Sequence, residues 1–333
     1  MSSSKHMTEI IECVVNISEG RDQAKISQIS QAITCVPGTT LLHIDSGYDA
    51  NRTVFTFVAD RVHMRMSVLS MFQKALDLID MTTHRGEHPR IGAIDVCPFI
   101  PVAGISKEDL ISWTYEIATL ISNTYKLPIY LYEDSSIVPH HHNLSDIRKG
   151  DYEGLITRVA SGLSTPDLGF QYDISKFGAT VMGVRSFLLA YNINLKTKDP
   201  GIAKKIAKRI RGSGYTTIDG GHTMGIFPTV KAIGWYMKEY CCAQVSTNLT
   251  DYHHTSFHDV YDACATMAIE YGTEVNGSEL IGLTPLEALL TSGIHYGGDH
   301  LNEQDLIQAA VDGLGLSSLT EFIASKRIIE YML

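Results

Sequence analysis

The sequence has no hydrophobic run long enough to span a membrane. A spanning helix needs about 20 consecutive apolar residues, and no stretch approaches that length among the 333 residues. The sequence also has fewer basic than acidic residues, with 27 Lys and Arg, 37 Asp and Glu and a formal net charge of −10. Because binding to a nucleic-acid backbone needs clustered cations, we expect neither a membrane nor a nucleic acid as partner.

Cysteine is scarce, with six residues and no Cys-x-x-Cys pair. This absence argues against the common zinc and dithiol redox motifs, and the apolar surroundings of several cysteines are typical of buried thiols. We expect no secretory signal, because the opening MSSSKHM is short and polar. The sequence therefore predicts a cytoplasmic protein in which residues 1–8 form a disordered tail.

A dense polar segment, residues 83–102, reads THRGEHPRIGAIDVCPFIPV. Gly86 and Pro89 break a helix, so the segment predicts a loop between an amphipathic helix (residues 64–81) and a buried strand (residues 91–100). Ionisable groups on a loop that is held between packed elements are typical of an active site. A solvated surface loop is the alternative that the composition alone leaves open.

Two groups of histidines raise the question of a metal site. His84 and His88 are four residues apart, a spacing that places two ligands on one face only if the segment is helical. Because a loop is predicted there, we expect no metal. The triplet His140, His141 and His142 lies in residues 135–172, which read as polar and irregular, and we expect it to be an exposed loop.

The remaining pattern predicts two copies of a β-α-β-β-α-β unit. The first copy covers residues 9–186 and the second covers residues 187–333. Strands are predicted at residues 10–17, 39–45, 52–58 and 91–100 of the first half and at 187–195, 229–236, 243–249 and 274–281 of the second. Two such units predict an α+β fold with two ferredoxin-like (βαββαβ) subdomains, each an antiparallel sheet covered by helices on one face. Residues 212–228 are Gly-rich and are interpreted either as a lid or as a surface insertion.

Residues 84–102 resemble the signature of the glutamate formimidoyltransferases (formiminotransferases), which occur alone or as the first part of formiminotransferase–cyclodeaminase. The resemblance extends through ECVVNISEG, DSGYDANRTVFTF, FGATVMGVRSFLLAYNINL, AQVSTNLTDY, GSELIGLTPLEALL and RIIEY, so it covers the chain from about residue 9. It implies two ferredoxin-like subdomains with a substrate groove between them, and a homodimer. No second module of comparable length follows, so we expect no fused cyclodeaminase activity.

The resemblance also implies a reaction: 5-formimidoyltetrahydrofolate and L-glutamate interconvert with tetrahydrofolate and N-formimidoyl-L-glutamate, as in histidine degradation. Tetrahydrofolate is then a co-substrate, folate and glutamate compounds are the small-molecule partners, and no metal is required. The residue types leave three alternatives open. These are a 5-formyltetrahydrofolate–glutamate formyltransferase, a non-catalytic folate-binding protein and a metal-dependent formimidoylglutamate hydrolase.

Site residues follow from the same resemblance. His84 matches the family's catalytic histidine, and an ordinary imidazole pKa of about 6.5 suits histidine acid–base catalysis near neutral pH. Asp45 matches a family acidic residue that would orient or stabilise the charged intermediate. Weaker candidates, as support for His84 or as carboxylate binders, are Arg52, Glu87, His88 and Arg90. The family's folate-binding segment matches Gly169, Phe170, Gln171, Tyr172, Asp173, Ile174, Ser175, Lys176, Phe177 and Gly178, with Phe177 where the family often has tryptophan.

Overall fold

The computed structural model describes residues 9–217, 219–238 and 240–332, so the tail predicted at residues 1–8 lies outside the described residues. The chain divides into two compact units, an N-terminal unit that ends at Arg185 and a C-terminal unit that begins at Ser186. Both combine helices with sheets, which confirms the predicted α+β class. Among the described residues, no helix has both the length and the apolar character needed to cross a membrane.

The N-terminal unit is built on a six-stranded sheet. Its strands are β1 Ile10–Ile17, β2 Thr40–Gly47, β3 Arg52–Ala59, β4 Ile94–Ala103, β5 Ile129–Leu131 and β6 Thr180–Val184. Its helices are α1 Gln23–Thr34, α2 Arg61–Leu78, α3 Lys107–Tyr125, α4 Leu144–Ile147 and α5 Asp151–Ala160. The strand order is β2-β3-β1-β4-β6-β5.

The first four strands of this sheet pair antiparallel, but β6 pairs parallel with both β4 and β5. The prediction of a purely antiparallel sheet is therefore wrong for the N-terminal unit. Parallel neighbours need a long crossover connection, and the helices between β4 and β6 supply it. Residues 135–172 were predicted to be irregular, yet they contain α5. Only Tyr152 and Leu155 of this helix are buried, so its apolar pattern is too short to be recognised.

The C-terminal unit has a four-stranded antiparallel sheet of order β10-β11-β7-β12. Its strands are β7 Leu189–Leu195, β8 Tyr215–Thr216, β9 His222–Thr223, β10 Val230–Met237, β11 Cys242–Leu249 and β12 Val275–Ile281. Its helices are α6 Pro200–Ile210, α7 Phe257–Glu270, α8 Leu286–Gly297, α9 Glu303–Leu314 and α10 Ala324–Arg327. Strands β8 and β9 form a small separate ladder within residues 212–228.

Strand periodicity decides which face of the N-terminal sheet is free to carry polar groups. Phe55 and Phe57 on β3 are fully buried in the core that the helices cover. Successive side chains of a strand point to opposite faces, so Arg52 and Val54 point away from that core. Asp45 on β2 pairs directly with Val54, and directly paired residues share a face. Asp45 and Arg52 therefore project from the same face, opposite to the helices.

The close approach of residues 91–93 to the end of the 169–178 segment provides a test of this fold. Gly178 has a φ of +70°, and a Cβ added there would lie 2.0 Å from the Ile91 carbonyl oxygen. Gly178→Ala should therefore lower stability by more than the roughly 1–2 kcal/mol that left-handed backbone alone costs an L-residue. Gly162→Ala is the matched control, because its φ is +72° but nothing lies within 4 Å of the added Cβ. Urea unfolding measures the stability of both variants. An equal loss of stability in the two would contradict the close packing of Gly178 against Ile91.

Candidate active site

The polar loop between α2 and β4 packs on the turn that joins β2 to β3. Its Glu87 backbone N–H donates to the Asp49 carbonyl oxygen at 3.1 Å. Gly86 lies so close to this turn that a Cβ would be 2.2 Å from the Ala50 carbonyl oxygen. The structure confirms the prediction that this segment is a loop and not a helix. The contacts with the β2–β3 turn hold the loop in its conformation. The Glu87 side chain itself is exposed.

His84 is 7% exposed, and both of its ring nitrogens form hydrogen bonds. Nε2 lies 2.9 Å from the Asn51 carbonyl oxygen, and Nδ1 lies 3.2 Å from Nε of Arg90. A guanidinium can only donate, so Nδ1 must accept. The proton of the neutral ring is therefore on Nε2, which donates to the Asn51 carbonyl oxygen. These two contacts select one tautomer of His84.

The surroundings of His84 also favour its neutral form. Burial lowers the pKa of His84, the hydrogen bond to the Asn51 carbonyl opposes this shift, and the charge of Arg90 adds to it. A pKa below the ordinary histidine value keeps the imidazole unprotonated at pH 7. Because Arg90 occupies Nδ1, the ring can accept a proton only after it turns away from Arg90 or Arg90 withdraws.

Arg90 connects His84 to helix α5. Its Nη1 and Nη2 donate to Oε2 and Oε1 of Glu153 at 2.9 and 2.8 Å. Such a bidentate pair is both strong and directional. The hydrogen bond from Arg90 lowers the pKa of Glu153 to about 2, so the carboxylate is ionised at any physiological pH. Glu153 was not predicted, because its link to Arg90 joins residues 63 positions apart and nothing local in the sequence marks it.

A second polar cluster surrounds Arg52. Nη1 of Arg52 forms a short hydrogen bond with Nε2 of His88, and Nδ1 of His88 donates to the Pro89 carbonyl oxygen at 2.7 Å. Burial and the charges of Arg52 and Arg148 lower the pKa of His88 to about 3, so this ring is neutral. Burial and the charge of Arg148 lower the pKa of Arg52, and the carboxylates of Asp95 and Asp45 oppose this shift. The structure thus joins His84 with Arg90 and separately joins Arg52 with His88, whereas Asp45 forms no ion pair with Arg52 within the described residues.

The segment 169–178 is anchored beside the loop. The Lys176 carbonyl oxygen accepts from the Met81 N–H at 2.8 Å, and the Tyr152 hydroxyl donates to the Ser175 carbonyl oxygen. Phe170 is 68% exposed, whereas Phe177 packs against the core with Nζ of Lys176 4.8 Å from its ring centroid. The other members are Gly169 and Tyr172, half-buried; Gln171, Asp173 and Ser175, exposed; and Ile174 and Gly178, buried.

The described part of the chain contains no group of three or more His, Cys, Asp or Glu side chains that could hold a metal ion. His84 and His88 bond to different partners. His141 is buried, and its Nδ1 lies 2.9 Å from Oδ2 of Asp167. The prediction of an exposed loop is wrong for this histidine, because a 3-10 turn at Pro139–His141 directs it inward.

Two family models match the chain. The formiminotransferase domain, N-terminal subdomain, matches residues 10–185, and the formiminotransferase domain matches residues 190–333. The chain belongs to the formiminotransferase family. The family predicted from the sequence motifs is thereby confirmed.

The chain is similar to longer and to shorter proteins of the formiminotransferase family. The formimidoyltransferase-cyclodeaminases of Dictyostelium discoideum and Rattus norvegicus are 42% and 41% identical over 331 residues, which cover 98% of this chain and 60% of each relative. The chain therefore spans about 60% of the length of these relatives. The glutamate formimidoyltransferase of Streptococcus pyogenes serotype M1 is 38% identical over 290 residues, which cover 87% of this chain and 94% of that protein.

The contact between Arg90 and His84 predicts how His84 titrates. Arg90→Gln removes a cation that lowers the pKa of His84, so we expect that pKa to rise. Nitrogen NMR of the His84 ring across the neutral pH range would measure both the pKa and the tautomer. Glu270→Gln, which breaks the exposed ion pair of Glu270 with Arg209 in the C-terminal unit, is the control. A His84 pKa that stays the same or falls in Arg90→Gln would show that the two side chains are not in contact.

Proposed function

We propose that this protein is a glutamate formimidoyltransferase, which moves a formimidoyl group between N-formimidoyl-L-glutamate and tetrahydrofolate. The observation that carries the proposal is a buried, neutral His84 whose tautomer is set by Asn51 and Arg90. A protein named glutamate formimidoyltransferase that aligns over 94% of its own length supports it. Tetrahydrofolate would be a co-substrate, and the transfer itself would need no metal.

The transfer exchanges one carbon–nitrogen bond for another. N5 of tetrahydrofolate attacks the formimidoyl carbon and loses a proton, and the glutamate nitrogen leaves that carbon and gains one. We assign both proton movements to His84, since a neutral imidazole can accept the first proton and return it in the second step. Nδ1 of His84 must first lose its hydrogen bond with Arg90. Because Glu153 holds Arg90 by two hydrogen bonds, a turn of the His84 ring is a smaller movement than withdrawal of Arg90.

We assign Asp45 to the charged tetrahedral intermediate, because its carboxylate projects from the same sheet face as Arg52. Folate is proposed to lie along residues 169–178. The exposed ring of Phe170 supports this assignment because an aromatic ring can stack on a flat pterin. The anchoring of Lys176 beside the loop would keep the folate near His84.

The finer description of the fold belongs to the same proposal. In each unit the four strands of the repeated motif lie in the order second, third, first, fourth, an order that supports the ferredoxin-like description. A substrate groove, a homodimer and a cytoplasmic location stay predictions of the sequence and its resemblance.

The first test is transfer from N-formimidoyl-L-glutamate to tetrahydrofolate by the purified protein. We expect turnover by the wild type, and a loss of about 100- to 10,000-fold in kcat for His84→Ala, the usual contribution of an acid–base group. His300→Ala removes an exposed histidine and should keep the wild-type rate. An active wild type with an unimpaired His84→Ala variant would leave the reaction standing but remove His84 from its proton transfers.

Three further arms of this assay separate the alternatives. Turnover with 5-formyltetrahydrofolate and L-glutamate, but not with the formimidoyl donor, would make the protein a formyltransferase. Tetrahydrofolate binding without transfer of either group would leave a folate-binding protein. Activity that survives treatment with a chelator would exclude the metal-dependent hydrolase.

A further inference from the structure

Arg52 is a half-buried cation whose direct partner is uncharged. Its Nη1 bonds to Nε2 of His88, a ring that is neutral because its own pKa is about 3. Within residues 9–217, 219–238 and 240–332, no carboxylate forms an ion pair with Arg52. Burial and the charge of Arg148 lower the pKa of Arg52. Holding a desolvated cation without a contacting anion is unfavourable, so this guanidinium is poised to receive one.

Arg148 provides a second guanidinium near Arg52 and His88. Its Nη2 pairs with Oδ2 of Asp95, whose Oδ1 accepts the Ile91 N–H at 2.9 Å. Nε of Arg148 is buried, and none of the described residues provides its hydrogen-bond partner. Asp95 is 1% exposed and is already bound on both oxygens. The cluster therefore contains a buried Arg148 N–H that none of the described residues accepts, and a neighbouring cation, Arg52, that no described carboxylate contacts.

We propose that Arg52 and Arg148 form a subsite that holds the α-carboxylate of the glutamate substrate. Guanidinium groups present planar sets of donors that match a carboxylate. His88 positions Arg52 through the hydrogen bond to Nη1 and is itself held by the Pro89 carbonyl oxygen. The assignment of this particular carboxylate rests on the proposed formimidoyl transfer.

The chain path explains why the α-carboxylate is chosen. Arg52 directly follows Asn51, whose carbonyl oxygen bonds to His84, and consecutive residues are about 3.8 Å apart. In glutamate the α-carboxylate and the reacting nitrogen are attached to the same carbon atom. A carboxylate bound by Arg52 would therefore hold that nitrogen one carbon away from the subsite, next to the chain segment whose Asn51 carbonyl contacts His84. The glutamate tail of folate has the same chemistry and is the competing source of the anion.

Calorimetric titration with L-glutamate tests the subsite without relying on catalysis. Arg52→Gln and Arg148→Lys should each weaken L-glutamate binding by about 10- to 100-fold, as expected for loss of charged hydrogen bonds. Arg158→Gln is the matched control, because Arg158 also belongs to the N-terminal unit and also has a buried Nε without a partner among the described residues. Its affinity for L-glutamate should equal that of the wild type.

Unfolding of the variants distinguishes a binding role from a structural one. Arg148→Lys retains a cation beside Asp95. Arg52→Gln removes a cation for which burial and repulsion by Arg148 outweigh the attraction by Asp95 and Asp45. The urea midpoint of Arg52→Gln should therefore be unchanged or higher than that of the wild type. A lower midpoint together with weaker binding would assign Arg52 to the fold. Unchanged L-glutamate affinity in both variants, or no L-glutamate binding by the wild type, would overturn the proposal.

Steady-state kinetics identifies which carboxylate is bound. For Arg52→Gln we expect the KM for N-formimidoyl-L-glutamate to rise about 10- to 100-fold. The rise should be the same whether the acceptor is tetrahydrofolate or tetrahydropteroate, which lacks the glutamate tail. The KM for tetrahydropteroate should not change. If the KM rises for tetrahydrofolate alone, the anion is the folate tail and the α-carboxylate assignment is wrong. If the wild type transfers no formimidoyl group, the proposed function fails, while the calorimetry still decides whether Arg52 and Arg148 bind L-glutamate.

Discussion

The buried guanidinium of Arg90 is the contact on which the candidate site depends. It donates from Nε to His84 and from both terminal nitrogens to Glu153, so one side chain fixes a tautomer and connects a loop to a helix. Lysine has no planar fork and could not make the three contacts together. Because the Nδ1 of His84 must accept from Arg90, the resting ring is a donor at Nε2. Proton acceptance by His84 therefore requires a local movement.

Helix α5 organises more of the site than its length suggests. Two consecutive residues, Tyr152 and Glu153, reach different segments: Tyr152 donates to the Ser175 carbonyl oxygen, and Glu153 accepts from Arg90. The segment proposed to bind folate and the loop that carries His84 are therefore attached to the same turn of helix. A shift of α5 would therefore move both segments of the candidate site together.

The cations of the site keep its histidines neutral. Arg90 contributes to the lowered pKa of His84, and Arg52 and Arg148 contribute to that of His88, in each case after burial. An anionic substrate would offset this positive potential, because opposite charges favour the protonated imidazole. The arginines involved differ, because Arg90 acts on His84 whereas Arg52 and Arg148 act on His88.

The sequence by itself determined the elements whose signals are local. The strand predicted at residues 10–17 and the loop predicted from the helix-breaking pair Gly86 and Pro89 lie where the structure has them. The family signature predicts His84 as the catalytic histidine, and this role stays a prediction. Tertiary structure alone decided the parallel pairing of β6, the existence of α5 as a packed helix, and the arrival of Asn51, Arg148 and Glu153 at the loop. These depend on contacts between residues 33 to 85 positions apart. Hydrogen bonds over such separations are set by how the sheet and helices pack, which no local pattern of residues encodes.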